Sequence, residues 1–422
     1  MIPPATVGRR IWLRVGTLLD GSSSRPMRDA HVVYDRDQIL YVGEDSPPAD
    51  LLQVGQRAPE IDLNECTLLP GLVDAHTHMF LEGGELNLDK RAAYLNQTPE
   101  QLLHHARARL EILVRLGIVA VRDAGDKRGV GLALSKLNMS PDRPLMPYVD
   151  SPGAAIHHHG RYGSFMAEPM RDCGSPYRCV EGRIKAGADR IKLIATGIIN
   201  FKKGAVTTAP QMTVEEIREL VDAAKSFGKQ TLAHASGDDG IDHVIEGGVD
   251  SIEHGFFLRT DQLPKMRDRQ IAWVSTFSPV QEQVDHADVL GWDEHVVGNL
   301  RRILDQHAAN LVTAHNLGVQ VIAGSDSGSC GVAHGLGLLY ELELMERAGL
   351  SPLAVLNAAT GAGSFRLAFK EKFGQIKPGY RSRFLLTRHS PLESVSNLRK
   401  DKLVVFDGDV FDSSDDFEPY GL

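Results

Sequence analysis

The chain has 422 residues, 42% hydrophobic and 24% charged, with a formal net charge of −9. That length exceeds what one small core fills, so one large barrel or two domains is expected. The acidic balance, spread along the chain, argues against a non-specific nucleic-acid binder, and no apolar run approaches the length of a membrane span.

The opening segment, MIPPATVGRRIWLRVGTLLDG, lacks a cationic stretch followed by an apolar run and a cleavage site. It reads as a first strand, Ile11 to Leu18, and the expected compartment is the cytoplasm. Cys66, Cys173, Cys179 and Cys330 fit reduced thiols there. Cys173 and Cys179 have the spacing for a small disulfide loop or a soft metal. No further Cys or His pair completes a zinc knuckle, and two unlinked thiols are expected.

Residues 1–66 read as short strands joined by turns, with Ile11–Val15, Ala30–Tyr34 and Ile39–Val42 as examples and Gly21, Gly43 and Pro47-Pro48 as punctuation. From Leu68 the pattern changes. Short apolar runs occur at Leu68–Ala75, Ile118–Arg122, Leu145–Val149, Arg190–Ile194, Thr231–Ala233, Ser251–Ile252, Ala272–Val274 and Val319–Ala323. Amphipathic segments separate most of them, among them Pro99–Leu116, Val214–Phe227 and Leu300–Asn316. Eight such runs with intervening helices predict a distorted (β/α)8 TIM barrel, an α/β fold, over residues 67–373. Leu336–Ala348 and Pro352–Ala359 are further helices, the second with Ser351 as N-cap and a proline at its first position. Short strands return in 374–422, at Arg383–Thr387 and Lys402–Val405. The two ends therefore predict one composite β-sandwich domain, 1–66 plus 374–422, with the barrel inserted. The tail FDSSDDFEPYGL is acidic and expected to be loose.

Polar residues stand at the ends of five runs: His76 and His78 after the first, Lys192 in the fourth, His234 after the fifth, His254 after the sixth and Asp326 after the eighth. In a strand, His76 and His78 share a face and aim at one spot, which can hold water, a carboxylate or a metal. Each residue alone has a bland explanation: a hydrogen-bonded core histidine, a snorkelling lysine, a turn aspartate. Six metal-compatible side chains converging on the C-terminal mouth of a barrel do not, and they predict a metal centre. Histidine and carboxylate ligands suit Zn2+ first, with Mn2+, Fe2+ and Co2+ as alternatives.

The motifs PGLVDAHTH, IKLIATG, LAHASG, IEHG, GSDSG and GQIKPGY together resemble the amidohydrolase superfamily over nearly the whole chain. The lysine motif looks like its binuclear peptidase-like branch of Xaa-Pro dipeptidases, arginine or lysine carboxypeptidases and ochratoxin-type amidases. Two departures stand out. Ser382-Arg383 replaces the usual Ala-Asp, and the loop SPGAAIHHHGRYGSF replaces a Gly-Gly-His-Gly segment.

The resemblance implies two divalent ions, His76 and His78 on the more buried one with Asp326, and His234 and His254 on the other. It also implies that Lys192 is carboxylated. A free ammonium has no lone pair for a cation, whereas the carbamate formed with carbon dioxide has two oxygens and a negative charge. The expected reaction is hydrolysis of a C–N amide bond by a metal-bridging hydroxide, with Asp326 as general base and then acid. His157, His158, His159 and Tyr162 are candidates to stabilise the oxyanion, His159 being chosen by analogy, and Arg161 could meet a substrate carboxylate. The partner is a small-molecule amide from a dipeptide, an N-acyl amino acid or a related xenobiotic; relatives are often homo-oligomers. Hydrolysis of a cyclic amide, as in imidazolonepropionases or hydantoinases, is the alternative, and Lys192 counts against the mononuclear members. A deaminase is disfavoured because Ala-Ser-Gly-Asp-Asp, not a nearby Glu, follows His234. A scaffold without metals is disfavoured by the complete ligand set.

Overall fold

The computed structural model describes residues 2–6, 8–140 and 143–412. Four strands open the chain: β1 (Ile11–Leu18), β2 (Met27–Tyr34), β3 (Ile39–Gly43) and β4 (Ile61–Pro70). The middle supplies β5 (Leu72–Thr77), β6 (Ile118–Asp123), β7 (Tyr148–Asp150), β8 (Ala155–His157), β9 (Ala167–Pro169) and β10 (Ile191–Ile194). A hairpin of β11 (Ile199–Asn200) and β12 (Ala205–Val206) follows, then β13 (Thr231–Ala235), β14 (Ser251–His254), β15 (Ala272–Val274) and β16 (Val321–Ile322). The last strands are β17 (Arg383–Thr387), β18 (Lys402–Phe406) and β19 (Asp409–Asp412). Phe411 and Asp412, expected as part of a loose tail, thus close β19, and 413–422 lie outside the described residues.

Both ends of the chain meet in one seven-stranded sheet, in the order β19-β18-β17-β4-β1-β2-β3. Its alternating apolar residues build a core of their own, with Leu13, Val15, Val32, Tyr34, Leu68 and Phe384 fully buried. The expected run Leu68–Ala75 is broken at Gly71, where the chain leaves this sheet. A Cβ on Gly71 would stand 2.0 Å from Val119 Cγ1, so only glycine lets the backbone pass β6 this closely. Arg383, the unusual residue of the C-terminal motif, is buried on Phe406 with its guanidinium 4.3 Å from the ring centroid, and forks onto Asp407 at 2.8 and 2.6 Å.

The middle strands are parallel, in the orders β16-β15-β14-β13-β10-β8-β9 and β5-β6-β7. The two sheets adjoin at both ends. Ala75 N donates to Ala323 O at 3.0 Å and Asp326 N to His76 O at 2.7 Å; at the other side Asp189 N donates to Ser151 O at 2.8 Å. The chain is therefore an α/β fold with mostly parallel sheets. Helices cover the strands as the periodicity predicts. Pro99–Arg115 and Val214–Ser226 both begin with complete capping boxes, Thr98 with Gln101 and Thr213 with Glu216. The second buries Ile217, Leu220, Val221, Ala223 and Ala224 on one face. The helix expected from Leu300 starts at Glu294, because Asp293 caps it by accepting from Val296 N.

Strands β8 and β9 were not expected; three-residue strands in a Gly- and His-rich loop carry no alternation to read. Cys173 and Cys179, expected as unlinked thiols, are joined in a disulfide. Gly174, in the left-handed region at φ 81°, turns the chain between the short helix Met170–Cys173 and the helix Pro176–Ala186, and brings the two Cα atoms to 5.1 Å. Among the described residues no helix is long and apolar enough to cross a membrane.

Candidate metal centre

Strand register decides which side chains face inward. Residues paired across parallel strands share a face. His234 is level with Ile194 and Glu253, and Lys192 with Leu232 and, through it, Ser251. Lys192, His234, Ser251 and Glu253 therefore line the inner face, with Ala75, Ala272, Val274 and Ile322 forming an apolar cluster of the same interior. By simple alternation His254 would point away. Its φ of +68° breaks the strand and turns it, and Asp326, at φ +54°, is held the same way. Left-handed conformations at residues with a Cβ cost on the order of 1 kcal/mol each, and such strain clusters at working sites.

The four expected histidines form a chain of neighbouring rings, with Asp326 against His76 and His78 at one end, and Lys192 is buried. The Nε2 atoms of His76 and His78 lie 3.5 and 3.4 Å from Asp326 Oδ1, and the three atoms fall within 4.8 Å of one another. Ring centroids run from His78 to His76 at 5.4 Å, on to His254 at 4.8 Å and to His234 at 4.7 Å. Lys192 is 1% exposed and packs by Gly125, whose carbonyl faces His78 Nδ1 at 3.4 Å. His76 Nε2, Lys192 Nζ and Asp326 Oδ1 are buried without a hydrogen-bond partner. Three orphaned polar atoms in one place cost too much to be packing accidents, and a cation with an anionic bridge would satisfy them all.

The electrostatics suit neutral imidazoles. Burial, and next the Lys192 charge, hold His76 well below its usual pKa and bring His78 and His234 down to about 3. Burial, and then the neighbouring His234, hold His254 well below as well. Burial lowers the Lys192 ammonium to about 8, with Glu253 and Asp326 opposing and Arg122 reinforcing. Burial raises Asp326 to about 7, against a bond from Ser329 Oγ at 2.9 Å.

Four residues around the ligands escaped the sequence reading. Glu253 Oε2 accepts from His76 Nδ1 at 2.6 Å; Arg122 grips both Glu253 oxygens at 2.8 and 2.7 Å; Ser251 Oγ donates to Oε1 at 2.6 Å. Thr276 Oγ1 meets His254 Nδ1 at 2.8 Å. The motif SIEHG held the signal, since Ser251 and Glu253 are two apart in a buried strand.

The loop after β8 divides. His157 is buried, with Nδ1 unpartnered, while His159 is exposed. His158 is taken up by Glu216 at 3.2 Å and Arg161 by the Ala209 carbonyl. The Tyr162 ring lies 5.4 Å from that of His234, and burial, with the Asp326 charge adding, pushes its phenol above the usual range. A cavity of about 520 Å³ opens between Thr196, Ser236 and the segment 205–210, and another, of about 500 Å³, is lined by Thr17, Cys66 and Arg388; neither is lined by one of the six expected ligands.

Residues 67–417 match the family model described as "Amidohydrolase family". The chain belongs to the amidohydrolase family. It is 25% identical over 424 residues to the ochratoxinase of Aspergillus niger, covering 92% of this chain and 83% of that protein. A solved Xaa-Pro dipeptidase with bound methionine in its active site matches with a TM-score of 0.78 and 25% identity, over 96% of this chain and all of the other. A local match, 31% identical over 150 residues, joins 30% of this chain to 35% of an imidazolonepropionase of Pseudomonas aeruginosa. The ochratoxinase and the Xaa-Pro dipeptidase match the peptidase-like branch, and with them the family makes the chain a hydrolytic enzyme acting on C–N amide bonds.

Proposed function

We propose that this chain is a metal-dependent amidase of dipeptides, N-acyl amino acids or related xenobiotic amides. One observation carries the reading: His76 Nε2, Lys192 Nζ and Asp326 Oδ1 are buried together without partners, beside His78, His234 and His254. The expected frame accompanies it: a distorted (β/α)8 barrel at 67–373, and a β-sandwich domain from 1–66 and 374–422.

The donor set fits two divalent ions, zinc first. His76, His78 and Asp326 would hold one, His234 and His254 the other, with Lys192 as a carbamate between them. When bound, such ions supply Lewis acidity at the scissile carbonyl and lower the pKa of water toward neutrality. The chain does the rest. Asp326 keeps Oδ1 free toward the centre while Ser329 anchors Oδ2, so it can take the proton of the attacking water and return it to the leaving nitrogen. Tyr162, with its phenol raised, stays protonated and can donate to the oxyanion. His157 joins it as a buried donor in place of His159, whose exposure weakens the analogy behind its choice. Arg161 gives one N–H to the Ala209 carbonyl, and its other donors could still meet a substrate carboxylate.

The local similarity to an imidazolonepropionase favours one second reading, a cyclic amidase. A screen of metal-loaded protein against dipeptides, N-acyl amino acids and cyclic amides separates the two, with Asp326→Asn as control. Turnover of linear amides by the wild type alone supports the proposal. Turnover confined to cyclic amides transfers it to the second reading, and equal activity of the variant removes Asp326 from proton transfer.

A further inference from the structure

The turn after β15 touches the metal centre and is held from behind. Thr276 Oγ1 lies 2.8 Å from His254 Nδ1, and Thr276 itself sits at φ +51°. A β-branched residue in the left-handed region is a genuine outlier, kept there only when its surroundings over-determine it. Two residues on, the helix Ser278–Asp285 begins with Phe277 at its N-cap, where no side chain accepts the first N–H groups. Glu341 supplies what is missing. It reaches across from the helix Leu336–Arg347, fully buried, and its oxygens accept from Phe277 N, Ser278 N and Ser278 Oγ at 2.8 Å each.

The same turn is clamped on a second side. His307, from the helix Glu294–Leu317, donates through Nε2 to the Ser275 carbonyl at 2.9 Å, and its ring sits among those of Phe256, Trp273 and Phe277. Trp273 Nε1 donates to the His254 carbonyl at 2.8 Å. The two left-handed residues, His254 and Thr276, are thereby fixed against each other. Helix capping alone would explain the bonds to Phe277 and Ser278, but a serine or aspartate at position 277 would cap without burying an acid. We propose that Glu341 is a positioning residue of the metal centre: by pinning Phe277 and Ser278 it keeps the Thr276 hydroxyl on His254 Nδ1, which leaves Nε2 as the donor to the second ion. The inference rests on the metal-dependent reading. The first ion does not depend on Glu341, because Glu253 orients His76 instead.

The test is zinc binding by the full-length protein in bicarbonate buffer, measured by competition against a chelator. The binding step lost in His254→Ala marks the second ion. Glu341→Gln and Thr276→Val should each weaken that step about tenfold and leave the other step unchanged. Thr276→Ser keeps the hydroxyl and should bind as the wild type does. Because both residues act through one contact, the double variant Glu341→Gln/Thr276→Val should be no weaker than Thr276→Val alone. A double variant about 100-fold weaker, equal weakening of both steps, a Thr276→Ser as weak as Thr276→Val, or unchanged binding in Glu341→Gln overturns the assignment. Should Glu341→Gln not fold by circular dichroism, Glu341→Asp, which keeps the charge but is one methylene shorter, is judged by the same criteria. If neither folds, Glu341 serves the fold alone and the assignment falls. If the wild type itself binds fewer than two zinc ions, the metal-dependent reading fails, and this inference with it.

Discussion

His76 Nδ1 and Glu253 Oε2 lie 2.6 Å apart at the bottom of the centre, although 177 residues separate them in the chain. The carboxylate holds the imidazole in one tautomer, with Nδ1 as donor and Nε2 left as a lone pair facing Asp326. Arg122 and Ser251 fix Glu253 in turn, so the ligand's direction is set two bonds back from the ligand itself.

Glu253→Gln keeps the shape and removes the charge. Metal affinity should fall about 10- to 100-fold while the protein stays folded. Competition titration against a chelator reads the affinity, and circular dichroism the fold. Unchanged affinity would reduce Glu253 to packing.

Lys192 becomes a nucleophile toward carbon dioxide only when its amine is neutral; the new N–C bond releases one proton. With its pKa lowered to about 8, the neutral fraction rises steeply between about pH 7 and 9, whereas an ordinary lysine needs about two units more. Labelled bicarbonate should give a carbamate carbon signal that grows over this range, lost in Lys192→Arg. A signal unaffected by that substitution would place the adduct elsewhere.

Asp326→Asn removes the proton carrier and one anionic ligand together. We expect kcat to fall by about 10²- to 10⁴-fold. Metal content measured alongside separates loss of the shuttle from loss of the ion.

The metal-free protein should lose stability as pH falls from about 6.5 toward 3. His78 and His234, lowered to about 3 by burial, are neutral when folded, while the unfolded chain takes up protons below about 6.5. His76 and His254 add to this in the same direction. Asp326, Asp123 and Glu341, raised to about 7, and Asp74, raised to about 6, work the other way between about pH 4 and 7, so the loss is steepest below about pH 4. Thermal melts at stepped pH in chelator give the slope; a midpoint that rises as pH falls from about 4 to 3 would show that the histidines are solvated.

Gly71→Ala should destabilise the fold by about 1–3 kcal/mol, since the new methyl meets Val119 Cγ1 at 2.0 Å. Denaturant midpoints measure it. Gly55→Ala, with open space around its Cβ position but φ +83°, isolates the purely backbone cost for comparison.

Much of the arrangement could be read from residues alone. Each apolar run from Leu68 onward has a counterpart strand, and the polar residue at its end marks the mouth, because parallel strands buried on both faces must be short, β-branched and punctuated. What escaped has physical causes. The break at Gly71 depends on a neighbour, Val119, 48 positions away. The inward turn of His254 depends on one positive φ, which periodicity does not register. Glu253 was hidden by its own neighbour, since the eye takes His254 as the functional residue of SIEHG and Glu253 as filler. The loop of His157 to Tyr162 obeys no period, so the order of burial among its histidines emerges only from packing.

The pairing of β4 with β17 sets a timetable for biosynthesis. The first four strands leave the ribosome early, yet the partner that completes their sheet is among the last segments made, more than 300 residues later. During that interval the edge of β4 stays open to unwanted strand partners. A chain released before Arg383 would leave that edge permanently uncovered while possessing every residue of the metal centre. For such a fragment the danger is aggregation rather than missing chemistry.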